Sequence, residues 1–286
     1  MKIAATVILF NPDDSCLHNI LTYYSKVGHL YIYDNSVRDT QEIKDWSIHH
    51  PNVSYFHSGI NEGISKRLNQ ATEQAIEDGF EWLLTMDQDS YFEESELTKY
   101  ISNVSESTEA HLIAQFGVNV DNNRAENITN YNIGVNVEHL ITSGSIVNLS
   151  LVNEIGGFDE DLFIDEVDWE FCFRSILKGY LIVKFPNVSL QHKLGVVHYF
   201  LSLKTFKKTP RTLHNPLRLY YVVRNYFYVA DMYHKNFEIS AKFRKKALIN
   251  RIKNNLLYSN RRLETIRNII TGYIDYKRNI KGRNNH

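Results

Sequence analysis

A largely parallel α/β fold is what this 286-residue chain predicts. Two observations lead there: apolar runs that stop abruptly at polar residues, and helical patterning between those runs. One such run, LLTMDQDSYF at residues 83–92, poses the functional question. It drives a mostly apolar segment straight into Asp87 and Asp89. Carboxylates so close repel one another unless a cation sits between them or water solvates both. The segment ends either in a metal site or in an acidic turn.

In chain order, KIAATVILF reads as a buried strand, dense in β-branched residues and stopped by Asn11-Pro12. HLYIYDNS repeats the design and ends in Asp34, Asn35 and Ser36, and NVSYFHS reads as a third strand. ISKRLNQATEQAIEDGF reads as a helix, with Ile64, Leu68, Ala71, Ala75 and Ile76 along one side and Gly79 as its stop. EWLLTMDQD is the fourth strand. Ligands of such sheets bind beyond the carboxyl ends of the strands, where Asp34, Asp87 and Asp89 fall. Further on, HLIAQFGV and HLITSGSIVNLSLV read as strands of a mixed extension. EVDWEFCFRSILKGY reads as a short helix closed at Lys178-Gly179.

From about residue 235 the pattern is helical and basic. Ala241, Leu248, Ile249, Ile252 and Leu256 share one sector, with Lys242, Arg244, Lys246, Arg251 and Lys253 outside it. Leu263, Ile266, Ile269, Ile270 and Tyr273 form a second apolar set. Charge follows the same division: residues 1–200 carry 12 basic and 29 acidic side chains, residues 201–286 carry 20 and four. A split of this size suggests an acidic globular part and a basic tail suited to an anionic surface, packing on the domain or lying on a membrane face. Nucleic acid is disfavoured, since the acidic half opposes a polyanion. Cys16 and Cys172 stand apart and read as buried free thiols of a reducing cytosol. The N-terminal run is too short for a signal peptide and no stretch suffices for a bilayer span, so the expected location is cytoplasmic, peripheral on the inner membrane face.

The signals FNP, YDNS, NEGISKRLNQA, MDQDS, SGSIV and GGFDEDLFIDEVDWEFCFR follow in that order. The set resembles the family 2 glycosyltransferases of the GT-A fold. FIDEVDWEFCFR and HNPLRLYYVVRN bring it nearest the rhamnosyltransferase branch, over roughly residues 1–228. The resemblance implies a GT-A catalytic domain over 1–230, with a nucleotide-binding half at 1–110 and an acceptor-binding half at 111–230, followed by a basic helical tail at 231–286. It implies inverting, metal-dependent transfer of a sugar from a nucleotide-diphospho-sugar, dTDP-L-rhamnose first among donors. The acceptor would be a saccharide, carried on a lipid, in cell-surface polysaccharide synthesis.

On this resemblance Asp89 ligates a divalent cation, Mn²⁺ or Mg²⁺, with Asp87 beside it nearer the ribose or sugar and His192 completing the shell. Hydrogen bonding within the fold is the alternative for His192. Phe10 and Asn11 frame the base, and Asp34 with Asn35 meets the pyrimidine or ribose, unless they form an Asx turn. Gly63 lets backbone approach the diphosphate at a helix N-terminus, and Lys66 or Arg67 adds a charged contact. Asn61 and Asn69 match spaced asparagines of the family, or serve as cap and core. Aligned on Arg174, Asp168 is the general base, with Asp165 or Glu166 as second choice, while Trp169 and Phe173 read as core. Ser143, Gly144 and Ser145 wall the acceptor side, and Arg218 and Arg224 grip phosphate. Two readings compete: a haloacid-dehalogenase-type phosphatase with Asp87 as nucleophile, and a non-catalytic nucleotide-sugar scaffold.

Overall fold

β1 (Ile3–Leu9) is buried at every position, as a strand covered on both faces must be. β2 (His29–Asp34) and β3 (Val53–His57) extend the sheet in parallel on one side, and β4 (Trp82–Asp87) lies parallel on the other. The register pairs Leu9 with Asp34 and Ile8 with Asp87, so three strands end along one edge. Between them run α1 (Cys16–Leu21), α2 (Gln41–Ile48) and α3 (Ile64–Glu77). α3 buries Leu68, Ala71 and Ala75 and stops before Gly79, whose φ of 76° suits glycine.

The computed structural model describes residues 1–121, 134–192, 197–201 and 206–284. Beyond β4 come β5 (Ser90–Tyr91), α4 (Glu94–Ser105), β6 (Ile113–Asp121), β7 (Val135–Asn136) and β8 (Ser145–Asn148). They are followed by α5 (Leu149–Ile155), α6 (Val167–Leu177) and β9 (Leu181–His192). The sheet order is β3-β2-β1-β4-β8-β6-β9-β5, with β7 paired to β9. β8 runs antiparallel to β4 and β6, which makes the extension mixed, as expected.

One expected strand is cut short. HLITSGSIVNLSLV supplies only the four residues of β8 before turning into α5. Asn148 is the reason: its side chain accepts a hydrogen bond from the Ser150 amide and caps the new helix. A short apolar run is compatible with either element, and the cap decides.

The chain forms two units, Met1–Glu160 with Val167–Lys193, and Asp161–Glu166 with Leu194–His286. The division therefore lies near residue 193, not at the expected 230. The second unit holds a hairpin of β10 (Val197–Leu201) and β11 (Lys208–Thr212), then α7 (Pro216–Tyr233), α8 (Glu238–Tyr258) and α9 (Arg262–Lys277). α7 starts at Pro216 with the Asn215 side chain as its cap, and it packs on α9. At that contact a Cβ on Gly272 would lie 2.5 Å from the Tyr220 carbonyl oxygen.

Helix faces in this unit also depart from expectation. α8 buries Ser240, Arg244, Leu248 and Asn255, while Ile249 is exposed. Arg244, expected outside, instead binds the Glu166 carboxylate. In α9, Leu263, Ile266 and Ile270 are exposed, Ile269 packs inward, and Tyr273, though partly exposed, sets its ring against Phe227.

Candidate active site

The opening stretch ends where β4 gives way to β5. Asp87 closes β4, Gln88 turns the chain, and Asp89 precedes the two-residue β5. β5 pairs antiparallel with the end of β9, setting Ser90 opposite His192. That register brings residues more than a hundred positions apart together: Asp87, Asp89 and His192 each offer a ligand atom, all within 4.8 Å of one another. His192 Nδ1 lies 2.6 Å from Ser90 Oγ and 3.4 Å from an Asp89 oxygen. The Asp89 side chain is 41% exposed, so the cluster is open to ligand from outside. Two carboxylates and an imidazole form a donor set that fits a divalent cation of the Mg²⁺ or Mn²⁺ kind. The sequence placed these three residues together only through the family resemblance; the β5–β9 pairing supplies the physical reason.

Gln88, which sequence reasoning passed over, ties the turn down. Its side chain accepts from the Phe10 amide at 2.8 Å and donates to the Phe10 carbonyl at 3.4 Å. Phe10 itself is 50% exposed at the end of β1, an aromatic face at the strand-end edge. Asn11 follows in a left-handed conformation, φ 45°, with its amide bonded to Ser36 Oγ.

Asp34 is a correction. It is fully buried, and its carboxylate accepts from the Ser36 amide, the Thr40 amide and hydroxyl, and Tyr55. Burial would raise its pKa, but these hydrogen bonds outweigh burial and hold it below the ordinary range. It is the organiser of an Asx turn, with no face left for a nucleotide. Asn35 is likewise buried and bonds the Gly63 carbonyl. Arg67 is 4% exposed and bound to Asn35, Gln70, Ser58 and Glu62, so it locks the loop and has no guanidinium edge to offer a diphosphate. Lys66 pairs with Glu62 but remains half-exposed. Gly63, φ 84°, opens α3 as expected, with Asn61 Oδ1 accepting its amide. Asn69 clamps the GGF turn, accepting from the Phe158 amide and donating to the Phe158 carbonyl.

The TSGS segment also has an inward role. Ser143 Oγ accepts the Asp87 amide at 3.0 Å, Gly144 (φ 74°) packs against Leu190, and Ser145 bonds Gln115. Ser143 and Ser145 are buried, so these residues hold the end of β4 in place and do not wall an acceptor.

Asp168 opens α6 with its side chain 23% exposed. One oxygen lies 3.1 Å from His139 Nε2, and the other accepts the Trp169 amide. The His139 ring stacks on Trp169 at 3.6 Å between centroids and 7° between planes. Burial alone would raise the Asp168 pKa; positive charge and a hydrogen bond from His139 outweigh it and hold the group below the usual carboxylate range. His139 escaped the sequence reading because a lone histidine before TSGS carries no spacing signal. Arg174, four residues after Glu170 on the same helix, grips the Glu170 carboxylate and the carbonyls of Ile155 and Gly157, a structural role.

Asp165 and Glu166, the second choices for the base, belong to the other unit. There Arg218 binds Asp165 and Arg244 binds Glu166, while Asn225 donates to the carbonyls of Leu162 and Ile164. These contacts hold Phe163, Asp165 and Glu166 at φ of 63°, 64° and 68°, a strained loop that surrounding bonds over-determine. Arg218 is half-exposed, whereas Arg224 is fully buried and donates to the carbonyls of Gly282, Asp161 and Leu162. Arg224 therefore cannot grip phosphate; it anchors the loop.

Comparison with known proteins places the chain in a family and a fold. The model of glycosyl transferase family 2 matches residues 14–156. The chain belongs to glycosyl transferase family 2 and is a glycosyltransferase with a GT-A fold. It is 27% identical over 243 residues to dTDP-rhamnosyl transferase RfbF of Shigella flexneri, covering 79% of each chain. S. aureus TarS 1-349, also solved in complex with UDP-GlcNAc, shares the fold at a TM-score of 0.55 and 17% identity, over 98% of this chain and 81% of that one. GalNAc-T7 with UDP, GalNAc and Mn²⁺ matches with a TM-score of 0.57 and 11% identity, over 91% of this chain and 58% of that one. With the family established, the phosphatase and the non-catalytic scaffold both fall away.

Proposed function

We propose that this chain is an inverting, metal-dependent transferase that moves L-rhamnose from dTDP-rhamnose onto a saccharide acceptor carried on a lipid, in cell-surface polysaccharide synthesis. The observation that carries the reading is the convergence of Asp87, Asp89 and His192 at the strand-end edge. Likeness to the rhamnosyl transferase RfbF favours the sugar and nucleotide. Asp87, Asp89 and His192 would hold the cation, whose positive charge would offset that of a leaving diphosphate. Phe10 offers its exposed ring to the base, and Gly63 and Lys66 face the phosphates at the start of α3.

Asp168, ionised at neutral pH, takes the proton of the acceptor hydroxyl. The acceptor oxygen bonds the anomeric carbon as the bond from that carbon to the diphosphate oxygen breaks. One displacement inverts the configuration. Asp168→Asn should lower kcat by about 10²–10⁴-fold while donor still binds. Near-normal transfer by that variant would overturn the assignment.

A further inference from the structure

α8 and α9 each bury one face within their unit and leave another apolar face outward. On α8 the outward side carries Ile239, Ile249 and Leu257, interleaved at helical spacing with Lys242, Lys246 and Lys253. On α9 it carries Leu263, Ile266, Ile270 and Ile274, with Arg267 and Lys277. Ile239 is 79% exposed and Leu263 85%, values far above those of side chains that support a fold. Scattered surface apolar residues need no explanation, but two successive helices that each set several large apolar side chains on one exposed face do.

Charge narrows the occupant. Residues 239–263 hold eight Lys and Arg and no acid. On α9, Asp275 is buried against Tyr220 and Glu264 is paired with Arg261. An open groove of about 720 Å³ adjoins α8, lined by Tyr226, Phe227, Ala230 and Leu248 with Lys242 and Lys245 among its polar residues. Apolar side chains flanked by lysines along a helix are the pattern that lies in the plane of a bilayer surface, with hydrocarbon below and anionic headgroups around the ammonium groups. A face for a second copy of this chain would set these same cations against each other.

We infer that the outward faces of α8 and α9 dock on an anionic lipid bilayer. This inference stands apart from the transfer chemistry, and its test needs no turnover. The full chain is floated with vesicles of phosphatidylcholine alone and of phosphatidylcholine with phosphatidylglycerol. Two variants accompany it, Ile239→Asp with Leu263→Asp, and Lys246→Glu with Lys253→Glu; each changes only exposed side chains, and thermal melting checks that they fold. The wild type should float with the anionic vesicles only, and salt should weaken this. The lysine variant should bind ~30-fold or more weakly, at about 5-fold per lost charge, and the aspartate variant should stay at the bottom. Absence of flotation with anionic vesicles would overturn the inference. So would equal flotation of both variants, or a solution dimer that Leu263→Asp dissociates while vesicles leave the wild type unbound.

Discussion

His139 decides how Asp168 titrates. Burial pushes the carboxyl up, while the neighbouring imidazole and the Trp169 amide pull it down, and the pull wins. A base held below the ordinary carboxylate range stays ionised through neutral pH, so the acid limb of the kcat/KM profile should fall below that range. His139→Ala removes the positive neighbour and leaves burial opposed only by backbone amides. The acid limb should then move to higher pH, with KM for donor unchanged; an unmoved limb would show that His139 does not act on the base. At this scale the sequence was an uneven guide. Asp87 and Asp89 could be read because acids at the end of an apolar strand are conspicuous. Asp34 and Arg67 could not, because what consumes their polar atoms comes from Thr40, Tyr55 and Ser58, whose side-chain direction no local pattern gives. Arg224 was misjudged for the same reason: its partners are backbone carbonyls some sixty positions away.

Among elements, β1, β2 and β4 were legible because each is a buried apolar run with a polar stop, and β3 because half-buried β-branched and aromatic residues stand among polar ones. α5 was not, since a single capping asparagine turns an apolar run into a helix. β5 was not either, because a two-residue strand has no periodicity; yet its pairing with β9 brings His192 to the aspartates. The α7–α9 contact depends on a glycine that lets two backbones approach. Gly272→Ala places a methyl group 2.5 Å from the Tyr220 carbonyl oxygen. The helices must separate, at a cost of about 1–3 kcal/mol, read as a lowered Tm. An unchanged Tm would mean that the helices slide apart freely.

Over the whole molecule, the charge reverses near residue 200, and the two units divide near residue 193, ahead of α7, which packs on α9. Stability of the second unit should depend on pH through His214. Burial first, then the cations of Arg218 and Arg251, hold its pKa at about 4. Unfolded, the same group titrates near the ordinary histidine value of about 6.5. Below that value the unfolded chain takes up a proton that the folded one refuses, so stability present at neutral pH declines as pH falls from about 6.5 toward 4. His214→Gln should flatten this part of a melting-versus-pH curve, and an unaltered slope would contradict the assignment. The central claim concerns the aspartates at the turn from β4 to β5, Asp87 and Asp89, and calorimetric binding of dTDP, UDP and GDP, with and without Mn²⁺, to the wild type and to Asp89→Ala tests it most directly. The account predicts Mn²⁺-dependent binding of dTDP that Asp89→Ala abolishes. Binding of dTDP that ignores both Mn²⁺ and the substitution, or no nucleotide binding by the folded wild type, would contradict it.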